Sequence, residues 1–413
     1  MGQSLHRAYA NAEHFVILFA SIGLMVLLQA LTGERLSGLF GAGVLLGLSL
    51  IMKQHGIAFV GLAILYILND SLMKRPFNWR DLTEKTLSFV GGVTLVIGAL
   101  CLILIWTGVF HNFWFWTFEY ASTYVSQVPL TKAWPNFIDK FLPIVHSAPL
   151  IWILCGLGVC LLIVKGLHQR SRVFMMLFAG FSVLSICPGF FFRPHYFLLI
   201  LPCASLFVGI TISLFRGYFA RFSSQQYLTL LAAAGLLVFS LSHSVFHQRE
   251  YLFHLTPFQS SRSTFWMNPF PESIEVADYI QKHTAPDDRI AILGSEPQIL
   301  FYSKRRSVSP YMYMYPLMED HEFALQMQKK FIKDIEESNP RYIVYVGVST
   351  SWLAREYSHM DLVQWFDEYQ NRGDMKLVGV VESFKNKAAY HWDLENFQPV
   401  SSQFWIAIFE RTN

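Results

Sequence analysis

The first 245 residues alternate between long apolar stretches and short polar connections. A helix needs about 20 apolar residues to cross the hydrocarbon layer of a bilayer, and shorter spans occur where neighbouring helices or local thinning compensate. Eight stretches fit this description, and they cover residues 15–31, 36–52, 57–68, 86–110, 148–164, 173–188, 196–215 and 228–245. The pattern predicts a polytopic α-helical membrane protein, with the third span as the shortest.

Lysine and arginine side chains are concentrated in alternate connections between these spans. They are Arg35; Lys74, Arg75, Arg80 and Lys85; Lys165, Arg170 and Arg172; and Arg216 with Arg221. The positive-inside rule places such loops in the cytoplasm. With eight crossings, both the N-terminus and the residues after the last span then lie on the outer face of an inner (plasma) membrane. Lys53 and the segments 111–143 and 190–195 share that face.

From Pro269 onwards the long apolar stretches give way to alternating amphipathic-helix and short-strand patterns, which are typical of a soluble α/β domain. Helix patterns cover residues 272–284, 321–338 and 360–369, and strand patterns cover residues 289–293, 342–346, 377–382 and 404–409. Helices that alternate with strands favour a compact layer around a largely parallel sheet. We therefore divide the chain into a transmembrane domain, residues 1–245, and an extracytoplasmic α/β domain, residues 246–413.

Composition supports the membrane prediction and narrows the function. Hydrophobic residues make up 53% of the chain and charged residues only 15%, which is unusual for a soluble protein of this length. The net charge of +3 is small and dispersed, so nucleic acid is not an expected partner. All five cysteines lie in apolar stretches, so the polar domain has no disulfide framework. The sequence has no metal-spaced Cys/His cluster, Ser/His/Asp arrangement or nucleotide loop, which disfavours common hydrolases and ATPases.

Two basic residues stand at span ends on the face opposite the basic loops. Lys53 follows the second span, and Arg193 precedes the seventh. A cation close to lipid is costly unless it is compensated, so a bound anion would explain both residues. The structural alternative is that Lys53 extends its ammonium group to the interface while Arg193 pairs with Glu119.

Two aromatic segments have structural and functional interpretations. The sequence HNFWFWTFEY at residues 111–120 is typical of an interfacial belt, and the functional alternative is a wall for a lipid tail or a platform for a sugar. Tyr311, Tyr313 and Tyr315 alternate with methionines, which would place three phenols on one face of an extended segment. That face could lie on the membrane surface or contact an acceptor.

The predicted outer ends of the spans offer a small set of ionisable side chains. They are Glu13, Lys53, Glu119, Arg193 and His195, with Tyr196 next to the histidine. Carboxylates combined with cations and an imidazole suit a phosphate leaving group and a hydroxyl nucleophile. Glu296 lies in the segment Gly294-Ser295-Glu296-Pro297, which follows the first predicted strand, where an α/β sheet places binding loops. A structural turn is the alternative role for that position.

Four short motifs resemble a known family. They are Tyr9-Ala10-Asn11-Ala12-Glu13-His14-Phe15; Gly47-Leu48-Ser49-Leu50-Ile51-Met52-Lys53-Gln54-His55-Gly56; Phe192-Arg193-Pro194-His195-Tyr196-Phe197 with Leu201-Pro202; and Gly294-Ser295-Glu296-Pro297-Gln298 with Arg305 and Arg306. In order, spacing and predicted membrane side they are similar to the integral-membrane glycosyltransferases of the GT-C fold, near bacterial relatives of protein mannosyltransferases and aminoarabinose transferases. The resemblance extends over nearly the whole chain.

The resemblance implies transfer of a sugar from a polyprenyl-phosphate donor to a glycan, lipid or protein acceptor outside the membrane, with inversion at the sugar carbon. Glu13 would be the catalytic carboxylate and a ligand for Mg²⁺ or Mn²⁺. Lys53, Arg193 and His195 would bind the donor phosphate. Contacts with the sugar or the acceptor would come from Glu119, Tyr196 and Glu296.

In the same family, further spans and a large outer loop with an acidic residue precede the motif around Glu13. The resemblance therefore implies that these N-terminal parts are missing here, and we expect weak or no transferase activity from this chain alone. A membrane carrier of an anionic lipid-linked substrate is an alternative, although the internal repeats typical of many carriers are absent. A non-catalytic membrane scaffold is the third hypothesis.

Overall fold

The computed structural model describes residues 11–125, 128–164, 169–220, 225–392, 394 and 400–412. The chain divides into two compact units, Met1–Leu252 and Phe253–Asn413. Tyr9 and Ala10 of the first motif, and Lys165 and Arg221 of the basic loops, lie outside the described residues. Several long apolar helices and a C-terminal sheet agree with a helical membrane protein that carries an α/β domain.

The first unit is helical. Its α-helices are α1 (Ala12–Thr32), α2 (Leu36–Met52), α3 (Ile57–Met73), α4 (Trp79–Trp106), α5 (Phe110–Trp114), α6 (Tyr120–Val125), α7 (Ala133–Ser147), α8 (Pro149–Val164), α9 (Gln169–Ile186), α10 (Leu201–Phe219) and α11 (Gln226–His247). Short 3₁₀ or π-helical segments cover Gln54–Gly56, Phe115–Glu119, Leu130–Lys132, Pro188–Phe190, Pro194–Ile200 and Glu250–His254. Each of the eight predicted spans overlaps one of these helices, and the number of membrane crossings stays a prediction.

Within the described residues, five helices are long and apolar enough to cross a membrane. They are Ala12–Thr32, Gln54–Met73, Trp79–Trp106, Pro194–Tyr218 and Tyr227–His247. The segments Leu130–Ser147 and Pro149–Leu162, which meet at a bend of 110°, would make a sixth span if they cross as one. The third span, expected to be short, continues to Met73 and includes the preceding turn. Helix Leu36–Met52 is apolar but shorter.

Small residues bring α2 and α4 into close contact. Gly43 lies against α4, because a Cβ atom built there would stand 2.0 Å from the Phe89 carbonyl oxygen. Gly92 of α4 is equally close to α2, with 2.2 Å from a built Cβ to the Phe40 carbonyl oxygen. Lipid tails are as apolar as the side chains, so the hydrophobic effect does not drive helices together inside a membrane. Close packing of this kind is what stabilises their association there.

Helices α3 and α9 pack through a ladder of aromatic rings. Phe59 and Phe178 have ring centroids 6.3 Å apart, and Tyr66 and Phe174 have centroids 5.2 Å apart. Both contacts are edge-to-face, which is a favoured geometry for aromatic pairs. The two helices therefore form a firm support for the residues at their ends.

The second unit contains helices and one mixed sheet. Its helices are α12 (Pro257–Phe265), α13 (Glu272–His283), α14 (Pro297–Ser303), α15 (Tyr315–Met318), α16 (Ala324–Ser338), α17 (Ser349–Trp352) and α18 (Asp361–Tyr369). Its strands are β1 (Arg289–Leu293), β2 (Arg306–Ser307), β3 (Tyr342–Gly347), β4 (Met375–Ser383), β5 (Ala388–His391) and β6 (Trp405–Arg411). The predicted helices and strands are therefore present, and the unpredicted elements are the short helices α12, α14, α15 and α17 and the strands β2 and β5.

The expectation of a largely parallel sheet is wrong. The strand order is β2-β1-β3-β6-β4-β5, and only the β1–β2 and β1–β3 pairs are parallel. Strand β6 pairs antiparallel with β3 on one side and with β4 on the other. Strands β3 and β4 point the same way, as their helical connection requires, but β6 separates them. Ile290, Ile292, Val344 and Val346 form the buried centre of this sheet.

Candidate active site

One end of the first unit brings together the start of α1, the end of α2 and the turn before α10. Helix α2 stops because Lys53 is extended, with φ −164° and ψ 144°. The chain then makes a tight turn in which a Cβ atom on Gly56 would stand 2.5 Å from the Ser49 carbonyl oxygen. The Ser49 hydroxyl donates a 3.1 Å hydrogen bond to the Val16 carbonyl of α1. These contacts hold Lys53 beside the first turn of α1.

Glu13 and Lys53 form an ion pair at this end. The Glu13 side chain is 1% exposed, whereas that of Lys53 is 27% exposed. The Lys53 ammonium also lies 4.5 Å from the centre of the Tyr196 ring, a cation–π distance. A buried carboxylate and an aromatic face therefore fix a cation that still reaches the surface of the unit.

His195 and Arg193 complete the cluster. Nε2 of His195 lies 3.8 Å from Oε1 of Glu13, so the histidine and Lys53 share one carboxylate. Arg193 is exposed, and its guanidinium stands 5.6 Å from the centre of the Phe191 ring. The predicted residues Glu13, Lys53 and His195 are thus brought together, and Arg193 is at the entrance of the same turn.

Left-handed backbone precedes this turn. Gly189, Phe190 and Phe192 have φ values of 70°, 52° and 45°. Such angles are costly for phenylalanine and persist only where surrounding packing requires them. The buried Phe192 ring packs edge-to-face on Phe137 of α7, with centroids 5.4 Å apart. Packing on α7 therefore imposes the backbone path that presents Arg193 and His195.

His55 belongs to the site, although no role was predicted for it from the sequence. Its ring is buried and lies 4.6 Å from the Tyr196 ring, between centroids. Its Nδ1–H donates to the Ser185 carbonyl at the end of α9. His55 thus packs against the Tyr196 ring that contacts Lys53. Its place two residues after Lys53, inside one of the motifs, was the only signal available from the sequence.

The aromatic segment is helical rather than an open loop. It runs through α5, a π-helical turn ending at Glu119, and α6. The Gln54 side chain donates a 2.7 Å hydrogen bond to the Thr117 carbonyl, which attaches the segment next to Lys53. Trp114, Trp116 and Phe118 are exposed, as an interfacial belt requires. Glu119 is exposed, and its pairing with Arg193, the structural alternative, stays a prediction.

The donor set does not fit Mg²⁺ or Mn²⁺. These ions prefer several oxygen ligands, whereas Glu13 is the one carboxylate of the cluster and is bound by Lys53. Among the described residues, no group of three or more His, Cys, Asp or Glu side chains could hold a metal ion. We derive no chemical step through a metal.

A second ion cluster, not anticipated from the sequence, lies at the ends of α3 and α9 that are opposite to the candidate site. Asp70, in the last turn of α3, accepts from Lys85 of α4 at 3.2 Å and stands 3.4 Å from Arg170 of α9. Asp81 lies 2.8 Å from the same lysine. Asp70 and Lys85 are both buried. These residues join three helices, and the positive-inside count treated two of them only as loop charges.

Comparison with known proteins adds no relative to this description. No family model matches the chain, and no curated protein matches it significantly.

Glu296, the predicted contact from the C-terminal part, belongs to the second unit. Its carboxylate is buried, and Oε2 accepts a 2.7 Å hydrogen bond from the Ser351 hydroxyl. Burial raises the pKa of Glu296 to about 7, although hydrogen bonds from Ser351 and from the Ser295 backbone oppose the shift. A carboxyl group of this kind titrates near neutral pH. Its contact with a sugar or acceptor stays a prediction.

Proposed function

We propose that this chain is a membrane glycosyltransferase that moves a sugar from a polyprenyl-phosphate donor to an acceptor on the outer face of the membrane. The proposal rests on one observation: Lys53 and His195 gather around the buried Glu13 at one end of apolar helices. An ammonium group and an imidazole at the end of apolar helices suit an anionic group at the boundary between hydrocarbon and water. A polyprenyl phosphate combines such a headgroup with an apolar tail.

The charges at the opposite helix ends support the outer location. Helix α3 begins close to Lys53 and ends next to Lys74, so the cluster and the basic connection around Lys74 lie at opposite ends of one span. The positive-inside rule assigns the basic end to the cytoplasm. The donor phosphate would then bind at the outer face, and the second unit would be extracytoplasmic.

In this proposal an acceptor hydroxyl attacks the anomeric carbon of the sugar, and the bond from that carbon to the phosphate oxygen breaks with inversion. The phosphate leaves with the bonding electrons, and the proton of the attacking hydroxyl passes to an oxygen of that phosphate. Lys53 and Arg193 stabilise the charge that develops on it, as fixed cations do in a water-poor site. His195 contributes an imidazole N–H that donates a hydrogen bond to a phosphate oxygen. Glu13 is too buried to touch the donor, so we assign it the positioning of Lys53 rather than a catalytic role.

We assign different roles to the other residues predicted to contact the sugar or the acceptor. Tyr196 is buried beneath Lys53, so we assign its ring to orientation of the ammonium group. Glu119 is exposed on the segment attached through Gln54, where its carboxylate could accept hydrogen bonds from sugar or acceptor hydroxyls. The acceptor class remains a glycan, a lipid or a protein.

The test compares two matched lysines in the full chain reconstituted in nanodiscs. Lys53 and Lys74 are 27% and 28% exposed, and each pairs with a glutamate. We expect Lys53→Gln to weaken binding of undecaprenyl phosphate at least tenfold, corresponding to about 1.4 kcal/mol. Lys74→Gln removes the same charge and should leave binding unchanged. Sugar transfer from a panel of undecaprenyl-phosphate sugars is measured in parallel.

The two measurements separate the competing functions. Binding that depends on Lys53, together with transfer, supports the glycosyltransferase. Lys53-dependent binding without transfer, but with movement of a labelled lipid between leaflets, favours the carrier. Equal binding by both variants removes the basis of the proposal and leaves the scaffold.

A further inference from the structure

One surface of the second unit combines exposed aromatic rings with exposed basic side chains. Helix α14 buries Ile299 against the sheet, whereas Phe301 and Tyr302 near its end are 77% and 47% exposed. Their ring centroids are 5.4 Å apart. Among the described residues of the second unit, Phe301 is the most exposed large hydrophobic residue. Exposed apolar groups that adjoin polar ones are typical of an interaction surface.

Arg305 fixes the turn that follows these rings. Its guanidinium donates to the hydroxyl and the carbonyl of Thr284, both at 2.7 Å, and to the Gln281 carbonyl at 3.1 Å. Further hydrogen bonds reach the Ser303 and Lys304 carbonyls inside the turn. Arg305 is buried, and these bonds occupy its guanidinium N–H groups. The turn between α14 and β2 therefore has a defined path, and Arg305 has a structural role.

The basic residues on either side of Arg305 face solvent. Lys304 and Arg306 are exposed, and neither forms an ion pair with a described residue. Arg306 of β2 is also paired in register with Arg289 of β1, which is exposed and has no ion-pair partner in the described part of the chain. Neighbouring strands are about 4.8 Å apart, so the two arginines repel each other and an anion would stabilise them.

A membrane is the anionic surface within reach of this unit. Helix α11, the last apolar helix, ends at His247, and the second unit begins at Phe253. The connection 248–252 spans at most about 20 Å. Anionic phospholipids attract lysine and arginine side chains close to the surface, and the headgroup layer accommodates aromatic rings. The mixed character of the surface matches both features of a lipid interface.

We propose that the surface formed by Phe301, Tyr302, Lys304 and Arg306 docks on the headgroup layer of an anionic membrane. The rings enter the interfacial layer, and the two cations bind lipid phosphates. A second copy of this chain is a poorer occupant, because two such surfaces carry the same charge. The proposal rests on the membrane location of the chain and is independent of the transfer reaction proposed for the first unit.

The experiment introduces the photoreactive residue p-benzoylphenylalanine in place of Phe301 in the full chain. Because Phe301 is exposed, the replacement leaves the core intact. The protein is reconstituted in nanodiscs of phosphatidylcholine alone or of an equimolar mixture with phosphatidylglycerol, and lipid cross-links are quantified by mass spectrometry after illumination. We expect at least threefold more cross-linked lipid in the anionic discs, because the basic residues hold the ring at the headgroup layer.

A matched pair of double substitutions tests the charges. Lys304→Gln with Arg306→Gln should lower the cross-linking yield in anionic discs at least threefold. Lys385→Gln with Lys387→Gln removes two exposed cations at the same spacing. They lie between β4 and β5, at the sheet edge opposite to β2, so this control should leave the yield unchanged.

Four results would each overturn the proposal. They are the absence of lipid cross-links from position 301, cross-links to a second copy of the chain instead of lipid, equal yields in the two kinds of disc, and equal losses in the two double variants. Sugar transfer is measured separately, so failure of the docking surface and failure of the proposed transferase are distinguishable.

Discussion

Lys53 and Lys74 lie at the two ends of α3, and each forms an ion pair with a glutamate next to α1. Lys53 pairs with Glu13 in the first turn of α1, and Lys74 pairs at 2.5 Å with Glu34, two residues beyond its last. The two pairs therefore fasten α1 to α3 at both ends. They differ in burial, because Glu13 is enclosed whereas Glu34 is exposed.

This difference predicts unequal effects on stability. Glu13→Gln leaves Lys53 without its anion in a poorly hydrated position, so we expect a loss of about 1–3 kcal/mol in the free energy of unfolding. Glu34→Gln removes an exposed partner and should have no measurable effect. Unfolding in mixed micelles, followed by circular dichroism, compares the two variants. Equal stability would show that the Glu13 pair does not hold α1.

We expect a larger loss in the free energy of unfolding from a substitution of Asp70, at the opposite end of α3. Asp70→Asn removes the charge that faces both Lys85 and Arg170, and the lysine is left buried with Asp81 as its remaining partner. We expect a loss of about 2–4 kcal/mol. Asp139→Asn, which breaks the exposed pair with Lys140, is the control and should behave as wild type. The same unfolding measurement applies, and a wild-type result for Asp70→Asn would contradict the prediction.

The contact between α2 and α4 predicts opposite outcomes for two glycines on one helix. Gly43→Ala places a methyl group against the backbone of Phe89, which cannot move without separating the helices. We expect a lower thermal midpoint and less monodisperse protein. Gly41 has nothing within 4 Å of a built Cβ, so Gly41→Ala should be neutral or stabilising by up to about 1 kcal/mol, the helix propensity difference. Fluorescence-detected gel filtration after heating ranks the variants, and equal midpoints would argue against this close approach.

Glu296 predicts a pH dependence of the second unit. Because its pKa rises from 4.5 to about 7 on folding, the folded state holds the proton more tightly than the unfolded state. The stabilisation is fully present below pH 4.5 and is lost as the pH rises to about 7, with a total of about 3 kcal/mol. Above that range stability no longer changes through this group.

Hydrogen exchange of the β1 and β3 amides between pH 5 and 8, corrected for the intrinsic exchange rate, measures this effect in the full chain. Glu296→Gln cannot titrate, so the difference from wild type isolates Glu296 from the histidines that titrate in the same range. We expect wild-type protection to fall with pH relative to the variant. Parallel profiles would contradict a raised pKa.

Local sequence patterns predicted much of this structure. Helices in lipid are apolar on most of their surface, so they are recognisable as uninterrupted runs of apolar residues. The residues Glu13, Lys53 and His195 were recognisable as charges at span ends. Their pairing was not, since it depends on how α1, α2 and the turn before α10 pack. The buried ion cluster of Asp70 was not predicted, because a single acidic residue in the last turn of an apolar helix is typical of the polar end of a span.

The sheet shows the same limit. The strands of the second unit were recognisable from short apolar runs, but the place of β6 between β3 and β4 depends on pairing across the whole unit. Likewise, the segment around Phe137 has the composition of an interfacial loop. Its helical form, α7, depends on packing of Phe137 and Phe141 on Phe197.

The central place of β6 has a consequence for biogenesis. Strands β1 to β5 emerge from the ribosome before β6, yet β3 and β4 have no partner between them until Trp405–Arg411 arrives. Until β6 is synthesised, the partial sheets β2-β1-β3 and β4-β5 each have an unpaired edge. Unpaired edges can pair with strands of other chains. A nascent chain interrupted between β5 and β6 would be a substrate for chaperones or proteases rather than a folded domain.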